Sequence, residues 1–163
     1  MKNIFILLFA VYCNNSFSQN PSVNQTSSAT GAVREKGIPD GSPIATKTIG
    51  PAGGTIAFED GRISVTVPQG ALEKDETISI EPITSTLPAT AGPGAFRLLP
   101  EGLHFKKPVT ITFAYNDSIV RGSSPEVLHI AYQDDRGVWK AIKALQLDKL
   151  NKLFAIFKPI SIL

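Results

Sequence analysis

His104 and His129 are the only imidazoles in the chain, and Cys13 is its only cysteine. Metal or nucleophilic chemistry at neutral pH would have to start from these residues or from carboxylates. A zinc site needs three or four ligands, usually with one close pair. The two histidines are far apart in sequence, and each falls at an outward position of a predicted strand. They read as solvated surface imidazoles. Glu126 with Asp134-Asp135 is the nearest approach to a calcium set, but there is no Asp-x-Asp-x-Asp-Gly loop, and acids are ordinary at hairpin turns. Serines are plentiful, yet none lies in a Gly-x-Ser-x-Gly elbow. A carboxylate pair for glycoside hydrolysis would have to be chosen arbitrarily from turn residues. No set of residues fills catalytic roles, so the expectation is a non-enzymatic protein without catalytic, cofactor-binding or metal-binding residues.

Three aromatic residues could stack on a sugar or anchor a peptide: Trp139, Tyr132 and Tyr115. Tyr132 and Tyr115 continue inward-facing rows of their strands and read as core. Trp139 is opposite in phase to Val138, which suits an exposed ring as well as a buried one. Lys106-Lys107 is the only basic pair, and no basic stripe provides a nucleic-acid footprint.

The elements that must position these residues begin after a leader. Ile4 to Val11 is an eight-residue apolar run behind the basic start Met1-Lys2-Asn3. A membrane-spanning helix needs ~20 apolar residues, so the run reads as the core of an export signal. Ser16-Phe17-Ser18 puts small residues at a cleavage site, making 1–18 the signal peptide and Gln19 the new N-terminus. Cys13 would leave with it, and the mature chain would hold no disulfide, Cys ligand or Cys nucleophile. The alternative is lipidation of Cys13, which would anchor the protein to a membrane. Asn14-Asn15-Ser16 suits a solvated tether, but Tyr12 is bulky where a lipid-attachment site wants a small residue. Loss of Lys2 lowers the formal net charge of +2 by one unit. Residues 19–46 are rich in Ser, Thr, Asn, Gly and Pro and read as a disordered leader. The stretch from Lys47 to Leu163 has the length of one domain.

Residues 53–72, GGTIAFEDGRISVTVPQGAL, organise that domain. Asp60-Gly61 predicts a two-residue type I′ hairpin turn, with positive φ at both positions. Phe58 then faces Ile63, and Ile56 faces Val65. The four apolar side chains share one face, with Thr55, Ala57, Ser64 and Thr66 on the other. Pro68-Gln69-Gly70 ends the second strand, and Ala71 to Asp75 suits a single helical turn. Further strands follow from period-two alternation: Ile78 and Ile80 up to Pro82 as an end or edge; Phe96 and Leu98; Leu103 and Phe105; Val109, Ile111, Phe113 and Tyr115; Leu128, Ile130 and Tyr132; Val138 to Ile142; and Leu153 to Phe157, closed by Pro159. Thr84 to Gly94 reads as a long loop. Short strands at regular spacing without a long helix predict an all-β, antiparallel β-sandwich.

IGPAGGTI (49–56), DGRISVTVP (60–68), QGAL (69–72) and PEGLHFKKPVTITFAY (100–115) resemble the ZU-five domain family. That family is a β-sandwich of zonula occludens proteins, netrin receptors, ankyrins and bacterial exported proteins. The resemblance covers 47–163 and implies an interaction or accessory module. Some relatives cut themselves at a His-Phe-Ser triplet in a late strand, where this chain reads Ile156-Phe157-Lys158. It supplies neither the imidazole nor the hydroxyl, so self-cleavage is not expected.

Two functions remain open. One is a periplasmic or extracellular module of the cell envelope that meets a protein or glycan, with the Thr84–Gly94 loop as the first contact surface expected. The other is a structural accessory domain without a dedicated ligand. Contact with a membrane is expected only through a lipidated Cys13.

Overall fold

In an antiparallel sheet successive side chains point to opposite faces, so a run that alternates apolar and polar can bury one face only. β2 (Gly54–Ala57), β3 (Ile63–Val67) and β6 (Val109–Ala114) follow this rule. With β10 (Leu153–Lys158) and β9 (Gln146–Asp148) they form an antiparallel sheet in the order β2-β3-β6-β10-β9. β1 (Ala45–Ile49), β4 (Glu76–Ile83) and β5 (Ala95–Leu99) make a second one, ordered β1-β4-β5. β7 (His129–Gln133) and β8 (Trp139–Lys143) form a two-stranded antiparallel sheet. This computed structural model describes residues 34–86, 94–121, 124–134, 136–143 and 146–158. The export signal, its Ser18–Gln19 junction, Cys13, most of the leader, the middle of the Thr84–Gly94 loop, Asp135 and Pro159 lie outside the described residues. The chain is all-β, and the 3-10 turn Pro125–Val127 is the one helical element among the described residues.

The principal core draws on both larger sheets. Ile63, Val65, Ile111, Phe113 and Phe154 come from one, and Ile78, Ile80, Phe96 and Leu98 from the other. Phe58 meets Phe96 with ring centroids 5.8 Å apart, and Phe113 meets Phe154 at 5.7 Å. The outer faces carry hydroxyls that bond in cross-strand pairs: Thr46 with Ser79, Thr48 with Thr77 and Thr55 with Thr66. A smaller cluster of Ile83, Ala95 and Ala131, with Trp139 against it, joins the β7–β8 hairpin to the far end of β4–β5.

Several expectations are corrected. The β2–β3 register is as read, with Ile56 opposite Val65, but the turn is not type I′. Gly61 alone has positive φ (73°), and its N–H donates to Phe58 C=O at 2.9 Å. The Asp60 carboxylate supplies the rest by accepting Arg62 N–H at 2.9 Å, which lets Asp60 keep negative φ. Pro82 neither ends its strand nor marks an edge, since it pairs with Phe96 inside the central strand β4. On its other side the ladder to β1 stops at Ile80, so the missing donor leaves no β1 partner unpaired. Leu103–Phe105 gives a single bridge at His104 instead of a strand, and 71–75 forms bends, not a helical turn. Both segments must cross between sheets, which breaks any regular repeat. β1 starts at Ala45, and contacts begin at Arg34, upstream of the Lys47 boundary. β7 is buried on both faces: Ile130, Ala131 and Gln133 are all buried, while Tyr132 is only half-buried.

Candidate functional site

Two connections cross between the larger sheets at one corner: 68–75 from β3 to β4, and 100–108 from β5 to β6. They are tied together by main-chain groups. Lys106 N–H donates to Ala71 C=O at 2.8 Å, and Lys107 Nζ donates to Gln69 C=O at 2.7 Å. The 50–54 turn closes the corner, with Gly70 N–H donating to Pro51 C=O at 2.8 Å. Gly53, at φ 76°, lies so close that a Cβ would stand 2.6 Å from Val67 O. The 50–54, 68–72 and 100–108 segments therefore converge here through close main-chain packing.

Beside this corner, 71–76 and 103–106 wall a cleft of about 350 Å³. Ala71, Leu72 and Phe105 are buried at its base, with Leu103 half-buried. Glu73, Lys74, Glu76, His104 and Lys106 supply its polar lining. Glu73 and Lys106 pair from one wall to the other, and Lys74 reaches Glu76 at 3.4 Å. The Lys106 hydrogen bond, then its charge, holds the Glu73 carboxyl below the usual range. Both side chains are largely exposed, so the pair opens to a competing charge at little cost. A smaller cavity of about 180 Å³ lies against Thr112, Gln146, Asp148, Leu153 and Ala155. There the Asp148 carboxylate is occupied by the Asn151 main-chain and side-chain N–H groups, which lower its pKa.

The residues weighed for chemistry are dispersed. His104 is exposed in the cleft lining, while His129 is half-buried on β7. Glu126 pairs with Lys149, and Asp134 with Lys140 at 2.8 Å, so these acids serve two separate ion pairs. Among the described residues no three His, Cys, Asp or Glu side chains gather around one point. Tyr115 is buried beside Phe154, and Lys140 Nζ sits 5.9 Å from the Tyr132 ring centroid. Trp139 is half-buried against the smaller cluster. Ile156-Phe157-Lys158 lies within β10, paired to Ile111, Thr110 and Val109. Sequence reasoning did not name Glu73, Lys74 or Glu76, and it read Leu103 only as a strand residue and Lys106 only as half of a basic pair. Their signal is charge set directly beside apolar residues in both crossover connections, Leu72-Glu73-Lys74 and Leu103-His104-Phe105-Lys106.

Comparison with models of known protein families gives no match, and comparison with curated proteins gives none.

Proposed function

We propose that the chain is a non-enzymatic, exported β-sandwich module of ZU-five type that holds another protein at the cell envelope. The carrying observation is the corner cleft, an apolar base lined by charges of both signs. Such a cleft suits a partner that inserts an apolar side chain flanked by charged groups. A glycan is favoured less, because sugars stack on exposed aromatic faces. Phe105 is the one phenyl or indole ring lining the cleft, and it is 1% exposed. Nucleic acid and membrane play no part in this reading, unless Cys13 carries a lipid.

A photo-crosslinking residue at Leu103, in the producing cell, tests the proposal. The expected result is one defined adduct that Lys106→Glu abolishes. Labelling no stronger than from the same probe at Thr55, on the hydroxyl-lined face, would overturn it. The structural accessory role would then stand, and the mutually bonded hydroxyls of the outer faces favour that role.

A further inference from the structure

Residues 34–40 form an extended strap across two parts of the fold. Arg34 N–H donates to Gly137 C=O at 3.0 Å, in the β7–β8 turn. The buried Gln133 amide donates to the Arg34 carbonyl at 2.7 Å and to the Glu35 carbonyl at 3.3 Å. Arg97 Nη2 donates to Gly37 C=O at 2.8 Å, while its Nη1 holds Glu81 at 2.9 Å. Ile38 N–H donates to Thr84 Oγ1 at 3.1 Å, and Thr84 N–H returns a bond to Ile38 C=O at 2.8 Å. Asp40 N–H donates to Pro82 C=O at 3.2 Å, and Pro39 bridges Ile83.

All of these bonds use the strap's main chain. The side chains of Arg34, Glu35, Ile38, Pro39 and Asp40 are exposed, Ile38 to 67%. None of them belongs to either hydrophobic cluster. The groove thus reads an extended backbone, as a sheet edge does when it accepts an added strand. It makes one demand on sequence: at Gly37 a Cβ would stand 2.2 Å from Thr84 O. Between strap and β1, Gly41 has φ 87° and open space around its Cβ position, while Asp40 Oδ1 accepts Ser42 N–H at 2.8 Å. This joint is a local turn with open space beside Gly41.

We infer that the groove is a site for strand exchange, and that its occupant in trans is residues 34–40 of a second copy of this chain. The hinge at 41–44 opens, the strap pairs with 82–84, Arg97 and the β7–β8 turn of the neighbour, and the neighbour's strap returns the same contacts. The segment seen to satisfy the glycine requirement is this chain's own. Release of the strap withdraws no member of either hydrophobic cluster, and the bonds made in trans are those lost in cis. Concentration and hinge geometry therefore set the balance, as for other exchanged terminal elements. A reciprocal exchange closes into a two-fold dimer.

Deletion of residues 41–43 in the full chain tests this, because a short hinge cannot fold the strap back on its own copy. Light scattering after gel filtration should show a dimer fraction at least tenfold above that of the unaltered chain. Gly37→Val added to the deletion should return the monomer. Retained strand circular dichroism with no dimer, or a dimer indifferent to Gly37→Val, would overturn the inference. Should the deletion variant fail to fold, a second measurement decides. A synthetic peptide of residues 34–40 should raise the melting temperature of the full-length Gly37→Val chain, whose own strap no longer fits. The same peptide with Val at position 37 should not. Equal effects of the two peptides, or no effect of either, would overturn the inference.

Discussion

The β2–β3 hairpin and the 34–40 strap are both short extended segments paired to neighbours, yet they are held by opposite means. In the hairpin, Ile56, Ile63 and Val65 drive one face into the core while a hydroxyl face looks outward. In the strap the hydrogen bonds to the groove run through the backbone, while Arg34, Glu35, Ile38, Pro39 and Asp40 turn their side chains to solvent. The two modes differ in what opening them costs. Pulling the hairpin away exposes apolar area at about 25 cal/mol per Å². Releasing the strap exchanges protein hydrogen bonds for water, at a net ~1 kcal/mol each. One element is permanent, and the other is suited to trade places.

The largest effect belongs to the packed region. Phe113, at 0% exposure, lies between Ile63 and Phe154 in the sheet register and stacks against the Phe154 ring. Phe113→Ala should cost about 3–5 kcal/mol in urea unfolding, by lost transfer energy and the cavity left behind. A loss below about 1 kcal/mol would break the contrast, because it would mean the core collapses onto small residues as readily as the strap detaches.

The contrast also accounts for what the sequence disclosed. The β2–β3 register, the inward rows of β6 and the core at Ile78, Ile80, Phe96 and Leu98 were legible, since one-sided burial writes itself as alternation. β1 and the strap were not, because a segment docked by its main chain can carry Ser, Gly, Pro and charge like any leader. Glycine was the only trace: Gly37 is placed by a contact with Thr84 O that no local pattern foretells. β7 misled for a third reason. Buried on both faces, it has no period, and Tyr132 was assigned inward where Ala131 and Gln133 are the buried neighbours. The cleft was illegible because its walls come from two connections distant in sequence, joined through Lys106 N–H and Ala71 C=O.

A smaller effect sharpens the packed side of the comparison. Gly61 holds φ 73° in a turn where its Cβ position meets nothing within 4 Å. Gly61→Val therefore tests backbone strain without a steric clash, and should cost about 1–3 kcal/mol. Thermal melts of this variant and of Gly61→Asn separate the causes, since Asn tolerates the left-handed region better than Val. Equal losses would show that strain at the turn is not the source.

The smallest effect is expected at Asp134, a charged group in the β7–β8 turn that receives the start of the strap. Its carboxylate is mostly buried and accepts N–H from Arg136 at 3.0 Å and from Val138 at 2.9 Å, besides pairing with Lys140. The Lys140 hydrogen bond first, then the Val138 amide, hold its pKa below the ordinary aspartate range. The unfolded chain therefore takes up this proton at a higher pH than the folded one. The stabilisation is complete above the ordinary aspartate value and is lost as pH falls through the lowered, folded value. Lys140, raised chiefly by the same bond, contributes fully below the ordinary lysine value and loses its share as pH rises through the raised one. The pair is thus level across neutrality and fails at either extreme. Lys140 is half exposed, so salt weakens the effect. Asp134→Asn retains an oxygen for the two amides but not the charge. Its melting temperature should sit slightly below that of the unaltered chain at neutral pH, and the gap should close as pH falls below the ordinary aspartate value. Because Gly137 C=O in this turn receives Arg34 N–H, amide exchange at Arg34 should quicken with the variant at neutral pH. A gap in melting temperature that persists unchanged into acid would assign Asp134 a role through shape alone, with no part for its charge in holding the turn that meets the strap.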